Sequence, residues 1–320
     1  MSLPQIDNLQ IRAVTEDILQ IHQIKTPFYF SCCDGLIILP KKGRNKFSIV
    51  LDLNIEPEYI NKIIEIYGPI SNYVCSHGHM DHITHIHAWE DFGALIHGPN
   101  PEAKNLIELD NFYKCYGWND GVDFAAIKKF GELNKYEICK NVKLFNPGDK
   151  LKFDELEIET VPLLGHSNSH VGFLLPSEKV FHITCLGFDK PKPEIDGFGP
   201  WYGFKQCSIS QYLNDIDKAE FIFLESAEYL TSSHSYIVKN PDRSPFEYMR
   251  NKINNNQKKV DKALLNIKTT PNFEEKVKRL LKLDIFFPKK KMKGFLKEIY
   301  TFWESWIIIK HLQQSKLMKY

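Results

Sequence analysis

One short segment constrains this chain more than any other: Ser76-His77-Gly78-His79-Met80-Asp81-His82 follows at once on the apolar stretch that begins at Asn72. Three imidazoles and a carboxylate within six residues are costly to explain as packing, because each is a polar group that needs a partner when buried. At alternate positions, His77 and His79 project the same way from an extended segment. Asp81 and His82 then fall on the next turn, close enough to face a second point. Neutral imidazole and carboxylate suit zinc, iron or manganese, so one ion is expected at the first pair and a neighbouring ion at the second. A lone histidine is more often a satisfied core residue than a ligand; clustering reverses that expectation. The fold must therefore bring further donors to the end of this strand.

The flanking sequence reads as alternating strands and helices. Phe28 to Leu39 and Phe47 to Leu53 are rich in aromatic and branched residues and are separated by Lys41-Lys42-Gly43-Arg44-Asn45, a hairpin signal. Pro57 opens a helix in which Ile60, Ile63, Ile64 and Tyr67 share one face, and Gly68 ends it. Asn72 to Ser76, Leu156 to Leu164, Val171 to Leu175, Val180 to Thr184 and Phe221 to Leu224 are expected as strands, and Ser208 to Ala219 as a helix. The pattern is that of an α/β layered fold. After about Pro241 it turns helical, with stretches at 246–267, around Val277 to Leu283, and from Leu296 to Leu312. Two regions are expected: 1–242, carrying the histidine cluster, and a basic helical region at 243–320.

The histidine segment resembles the signature of the metallo-beta-lactamase superfamily, His-x-His-x-Asp-His, and later segments resemble the superfamily's other motifs in the same order. Gly165-His166-Ser167 is similar to its Gly-His-Thr/Ser motif, and Ser232-Ser233-His234-Ser235 to its final Ser-His-Gly segment. The resemblance covers roughly residues 20 to 240. It implies an αββα sandwich with a C-terminal helical extension, metals at one edge of two sheets, and two zinc ions, with iron or manganese as alternatives. The implied metal ligands are His77, His79, Asp81, His82, His166 and His234. A bridging carboxylate normally follows a strand as Gly-Asp, and here the chain departs: Val180 to Thr184 runs into Cys185-Leu186-Gly187-Phe188-Asp189. Counted from the strand end, Cys185 takes the bridging place; by the Gly-then-Asp flavour, Asp189 does. Both stand as candidates. A thiolate there is consistent with zinc or iron. Asp81 is the candidate catalytic residue, a ligand that also orients the attacking hydroxide.

His85 and His87 follow where the superfamily continues with glycine and are expected on a helix surface; His97 and His182 are read the same way. His170 is the candidate among these to line the site. Phe198-Gly199-Pro200-Trp201-Tyr202-Gly203, in a Gly/Pro loop, resembles a segment of some superfamily members and offers Trp201 and Tyr202 as a pocket wall for substrate. The helical tail, with His311 to Leu317, resembles members that carry a small winged-helix-like end.

Seven cysteines, an odd number without a Cys-x-x-Cys pair, argue for free thiols in a reducing compartment. The start, Met1 to Asp7, lacks a basic cap and an apolar stretch, so no secretory signal is expected, and no run reaches the length of a membrane span. A cytoplasmic protein is the expectation. The net charge of +1 hides a division: residues 251–320 hold 17 basic and 6 acidic groups, a balance of +11 that leaves the first 250 residues at −10. No phosphate-binding glycine loop occurs and no nucleophile triad is visible. The leading reading is a metallohydrolase that opens an ester, thioester or lactone of a small molecule through a metal-bound hydroxide, its tail capping the pocket or mediating a homodimer. An endoribonuclease or phosphodiesterase, gripping nucleic acid through the basic tail, is the first alternative. A mononuclear iron oxygenase is the second, and a binding protein with vestigial ligands a third.

Overall fold

A computed structural model describes residues 3–28, 30–267 and 272–318. Met1 and Ser2 of the N-terminal stretch, and Tyr29 of the first expected strand, lie outside the described residues.

The first sheet contains β1 (Leu9–Ala13), β2 (Ile18–Gln23), β3 (Gly35–Ile38), β4 (Ser48–Leu51), β5 (Ile70–Val74), β6 (Leu95–Pro99) and β7 (Val142–Phe145), hydrogen-bonded in that order. β1 to β4 pair antiparallel; from β4 to β7 the pairing is parallel. Parallel strands need crossovers, and these are α1 (Pro57–Tyr67), then α2 (Met80–Ile83) and α3 (Ile86–Asp91), then α4 (Leu109–Cys115) and α5 (Phe124–Leu133). The second sheet holds β8 (Lys150–Phe153), β9 (Leu156–Pro162), β10 (Val171–Leu175), β11 (Val180–His182), β12 (Tyr229–Thr231) and β13 (Val238–Lys239). It is antiparallel, apart from the parallel β11–β12 pair. Helix α6 (Ile209–Ser226) crosses between β11 and β12, and α7 (Ser244–Asn266), α8 (Phe273–Leu281) and α9 (Gly294–Gln314) follow.

The apolar runs of the sequence follow from this layering. On β3, Leu36 and Ile38 point between the sheets, while Ile37 joins the helix-side core; on β4, Ile49 and Leu51 point between them, and Val50 outward. A strand covered on both faces has no polar side, so it reads as unbroken apolar sequence. Leu156, Ile158, Val171 and Phe173 meet these residues from the second sheet. The expected α/β sandwich with a helical C-terminal extension is therefore what the chain forms.

Several expectations need correction. Phe221 to Leu224 is not a strand but the last part of α6, in which Ile216, Ala219 and Phe223 keep one buried face while Phe221 is 66% exposed. A four-residue apolar run cannot tell strand from helix by period alone. The strand that leads to His234 is β12 instead. Among the described residues of Phe28 to Leu39, only Gly35–Ile38 is strand. Among the described residues of the tail every regular element after β13 is helical and no strand follows, so the winged-helix-like end is not formed.

The C-terminal helices pack on the sandwich. Phe246 of α7 meets Phe223 of α6 at 5.9 Å, and Trp303 and Phe302 of α9 meet Phe130 of α5 and Trp118 at 6.1 and 4.6 Å. Not every lysine of this region is a solvated charge. Lys289 is buried against Glu304 and Asp284, and Lys310 is buried with Nζ 2.5 Å from the Phe204 carbonyl. Burial pulls the Lys310 ammonium down to about 8 from 10.5. Below pH 8 the folded chain therefore carries a desolvated charge that the unfolded chain carries in water, a cost of about 3 kcal/mol that fades as pH rises from 8 to 10.5. Lys310→Met is expected to raise stability at pH 7 by about 1–2 kcal/mol, after loss of the Phe204 hydrogen bond, with the advantage shrinking as pH approaches about 10. Paired thermal melts of variant and parent across pH check this; a constant gap would contradict it.

Candidate metal centre

The donors converge because of strand direction. β5 runs into Ser76 and His77, and β9, β11 and β12 point the same way, since β9 and β11 flank the antiparallel β10 and β12 is parallel to β11. His166, Cys185 and His234 follow the ends of those three strands. One edge of the sandwich thus collects residues separated by up to 157 positions in sequence.

Three donor groups form there among the described residues; Cys33, Asp52 and His82 are one of them, and share His82 with another. His77, His79 and His166 each offer one ligand atom within 4.8 Å of the others; Asp81, His82, Cys185 and His234 do the same. In the first group the ring orientations are decided by their other hydrogen bonds. Ser76 Oγ donates to Asp52 Oδ2 at 2.7 Å, so it accepts from His77 Nδ1 at 2.8 Å. His166 Nδ1 donates to the Trp201 carbonyl at 2.9 Å. Both rings then carry their proton on Nδ1, which leaves two bare Nε2 lone pairs facing each other at 3.2 Å. His79 Nε2, buried, has no partner in the protein. Burial, then mutual repulsion, holds all three imidazoles well below their ordinary pKa of 6.5, so they are neutral. Two facing lone pairs and a third, unpartnered imidazole nitrogen are what a cation satisfies, and this donor set fits zinc.

In the second group, His82 Nδ1 donates to Asp52 Oδ2 at 2.8 Å, and Nε2 faces Cys185 Sγ at 2.9 Å and Asp81 Oδ2 at 3.5 Å. Asp81 Oδ2 is 3.2 Å from His234 Nε2. Burial opposes charge on His82 and His234, yet the surrounding acids outweigh it: His82 is raised, and His234 reaches about 9. A metal ion competes for the same electrons as those protons. Burial, and then Asp81, pushes the Cys185 thiol well up, a balance that a bound cation reverses.

Of the two candidates for the bridging place, the structure brings Cys185 into the donor group. Asp189 lines the same cavity but lies outside that group; its Oδ1 is unpartnered, and burial lifts its carboxyl to about 7. The Phe198–Gly203 loop presses on it so closely that a Cβ on Gly199 would clash with its carboxylate.

Other candidates separate cleanly. Trp201 lines the cavity. Tyr202 does not: it is buried with its hydroxyl bonded to His311 and Asn256 at 3.0 and 2.8 Å. Nor does His170, whose Nδ1 meets the Leu163 carbonyl at 2.8 Å and whose Nε2 meets Thr184 Oγ1 at 2.6 Å, while its ring backs His77 at 4.9 Å. Both ring nitrogens are used by the fold, so none is left for a substrate. His85 is not a surface residue; it is buried at the α2–α3 junction, and burial depresses it to about 3. His87 is partly buried, 3.6 Å from Glu137. His97 bonds Asn72 at 2.9 Å and His182 bonds Thr231 at 2.9 Å, both away from the cavity. All seven cysteines are free.

Two residues that matter here were not singled out from sequence. Asp52, at the end of β4, accepts from His82, from Ser76 N and Oγ, and from Ser233 Oγ. An acid closing an apolar strand beside the histidine strand was a legible signal. Glu102 accepts from Gly78 N, Tyr116, Ser167 and Ser169 N, and no local pattern marks it. Asp52→Asn is expected to weaken metal affinity about 10- to 100-fold, because the amide no longer holds the His82 tautomer. Titration against a competing chelator measures it, and an unchanged affinity would contradict the role.

No family model matches the chain, and no curated protein matches its sequence. Solved structures do match in shape. A metallo-beta-lactamase family protein from Thermus thermophilus is 12% identical, with a TM-score of 0.62 over 97% of this chain and 94% of that one. A beta-lactamase domain protein from Burkholderia ambifaria is 12% identical, with a TM-score of 0.64 over 96% and 89%. This chain has the metallo-beta-lactamase fold. The metallo-beta-lactamase FIM-1 from Pseudomonas aeruginosa, solved in a mono-zinc form, matches over 78% of this chain and 96% of its own at 17% identity and a TM-score of 0.53. The first two matches reach into the C-terminal helices, whereas the FIM-1 match covers less of the chain. Among the described residues no helix is long and apolar enough to cross a membrane.

Proposed function

We propose that this chain is a zinc-dependent hydrolase that opens an ester, thioester or lactone bond in a small molecule. The observation that carries the proposal is the pair of donor groups at one sandwich edge, His77/His79/His166 and Asp81/His82/Cys185/His234, of which His79, His166, Asp81, Cys185 and His234 line a shared cavity. Each group would hold one ion, with Cys185 in the place that the superfamily resemblance gives to the bridging ligand. FIM-1, a neighbour of the same fold, was solved in a mono-zinc form, which supports zinc. Bound zinc supplies hydroxide from water at neutral pH and polarises the substrate's carbonyl oxygen.

The chain's own residues do the rest. Asp52, Ser76 and the Trp201 carbonyl keep the ring protons of His82, His77 and His166 away from the cavity side. Asp81, which lines the cavity, orients the attacking water with its carboxylate. The aromatic wall described below excludes bulk water, which strengthens every electrostatic contact inside. In this reading the division at 242/243 is also one of labour: 1–242 carries the donors and 243–320 closes the cavity. Free thiols throughout fit a cytoplasmic setting. A phosphodiesterase is disfavoured, since no lysine or arginine among the described residues lines the cavity.

Metal analysis of protein purified without added metal, coupled to turnover of a thioester, a lactone and a phosphodiester, tests the proposal. Two zincs with thioester or lactone turnover is the expected result. Phosphodiester turnover alone, or one iron with oxygen uptake, would replace it with the nuclease or the oxygenase.

A further inference from the structure

Away from the donors, the wall of the cavity is aromatic. Trp303 of α9 stands at its centre, 5.2 Å from Phe30, 5.1 Å from Trp201, 6.1 Å from Phe130 and 6.3 Å from Phe204, edge-on to each. Phe198 stacks on Trp201 at 5.3 Å and completes the surface. Interlocked edge-to-face rings present a fixed, apolar shape. Among the described residues of 243–320, Trp303 alone reaches the lining.

The charges around the cavity are acidic or imidazole. Asp81 and Asp189 belong to the metal edge, and Asp34 is engaged by His22 Nδ1 at 2.7 Å. An anionic group brought against the aromatic wall would lose its water with no cationic side chain to replace it. The cavity measures about 320 Å³, near the lower end of the roughly 300–1,000 Å³ typical of small-molecule sites.

Building on the hydrolase reading, we infer that the cavity takes a compact, uncharged acyl substrate, its hydrocarbon or aryl group seated against the aromatic wall. The apolar group accounts for the wall. The basic C-terminal region then serves the site through one tryptophan and not through its lysines.

Calorimetric titration of the full-length, metal-loaded protein with 4-phenyl-2-butanone, an uncharged ketone that is not hydrolysed, tests the pocket apart from the chemistry. The ketone is expected to bind, and the same ketone sulfonated on its ring to bind at least about tenfold more weakly. Trp303→Phe removes part of the ring at the centre of the wall, and is expected to weaken the ketone a few-fold. Phe198→Ala, on a side chain that is more exposed, gives a second reading of the wall should larger changes at Trp303 disturb folding; a loss of a few-fold is expected. Turnover of phenyl acetate and its ring-sulfonated counterpart is measured alongside. Selective ketone binding without ester turnover supports the pocket and sinks the hydrolase reading. Equal kcat/KM for the neutral and sulfonated esters, ketone affinity unmoved by Trp303→Phe, or no ketone binding by folded protein overturns the pocket inference, whatever the metals do.

Discussion

Replacing His79 and His166 together by alanine is expected to lower kcat/KM on any substrate the enzyme turns over by about 10³-fold or more. Metal content should fall by one ion, because Asp81, His82, Cys185 and His234 remain. The fold should survive. His79 Nε2 has no partner in the protein, so its loss strands nothing on that side, and loss of His166 frees the Trp201 carbonyl at a cost of about 1 kcal/mol. Circular dichroism, metal analysis after dialysis and initial rates on the same sample separate these effects. Full activity in the double variant would refute the proposed chemistry.

Glu102→Ala is expected to be the most destabilising single change at this edge, for a reason independent of any metal. The Glu102 carboxylate is buried and holds four donors: the amide of Gly78 between His77 and His79, the amide of Ser169, and the hydroxyls of Tyr116 and Ser167. Two of these belong to the loop that carries His166, so one carboxylate ties both histidine segments together. Burial is strong enough to lift its pKa above the ordinary value despite those bonds. Alanine would leave the donors buried and unpaired, a loss of about 3–5 kcal/mol and a fall in Tm on the order of 10 °C. Glu102→Gln keeps one acceptor oxygen and should recover part of that. Thermal melts of metal-free protein measure it, and a Tm within a degree or two of the parent would rule out the bracing role.

Much of the centre was legible before any coordinates. Residues 77–82 carry four donors in close succession, so the strand end had to be a site. The apolar runs at 36–38 and 48–51 could be read as strands because burial on both faces leaves no polar alternation to hide them. Legibility failed where a short run fits two periods, as at Phe221–Leu224, and where a partner lies far along the chain. Nothing near Glu102 announces that it spans two histidine loops. Tyr202 and His170 have the composition of pocket residues, yet the fold consumes their polar atoms internally.

The sequence by itself determined that imidazole and carboxylate donors would gather at a strand edge, since donor type and local spacing are properties of the chain. Tertiary structure alone decided that Cys185 and not Asp189 joins His82, that Asp52 fixes the His82 ring while Glu102 ties the two histidine segments together, and that Trp303 of the final long helix walls the cavity. Those choices depend on distances of a few ångströms between residues tens to hundreds of positions apart, and such distances are set only when sheets and helices pack.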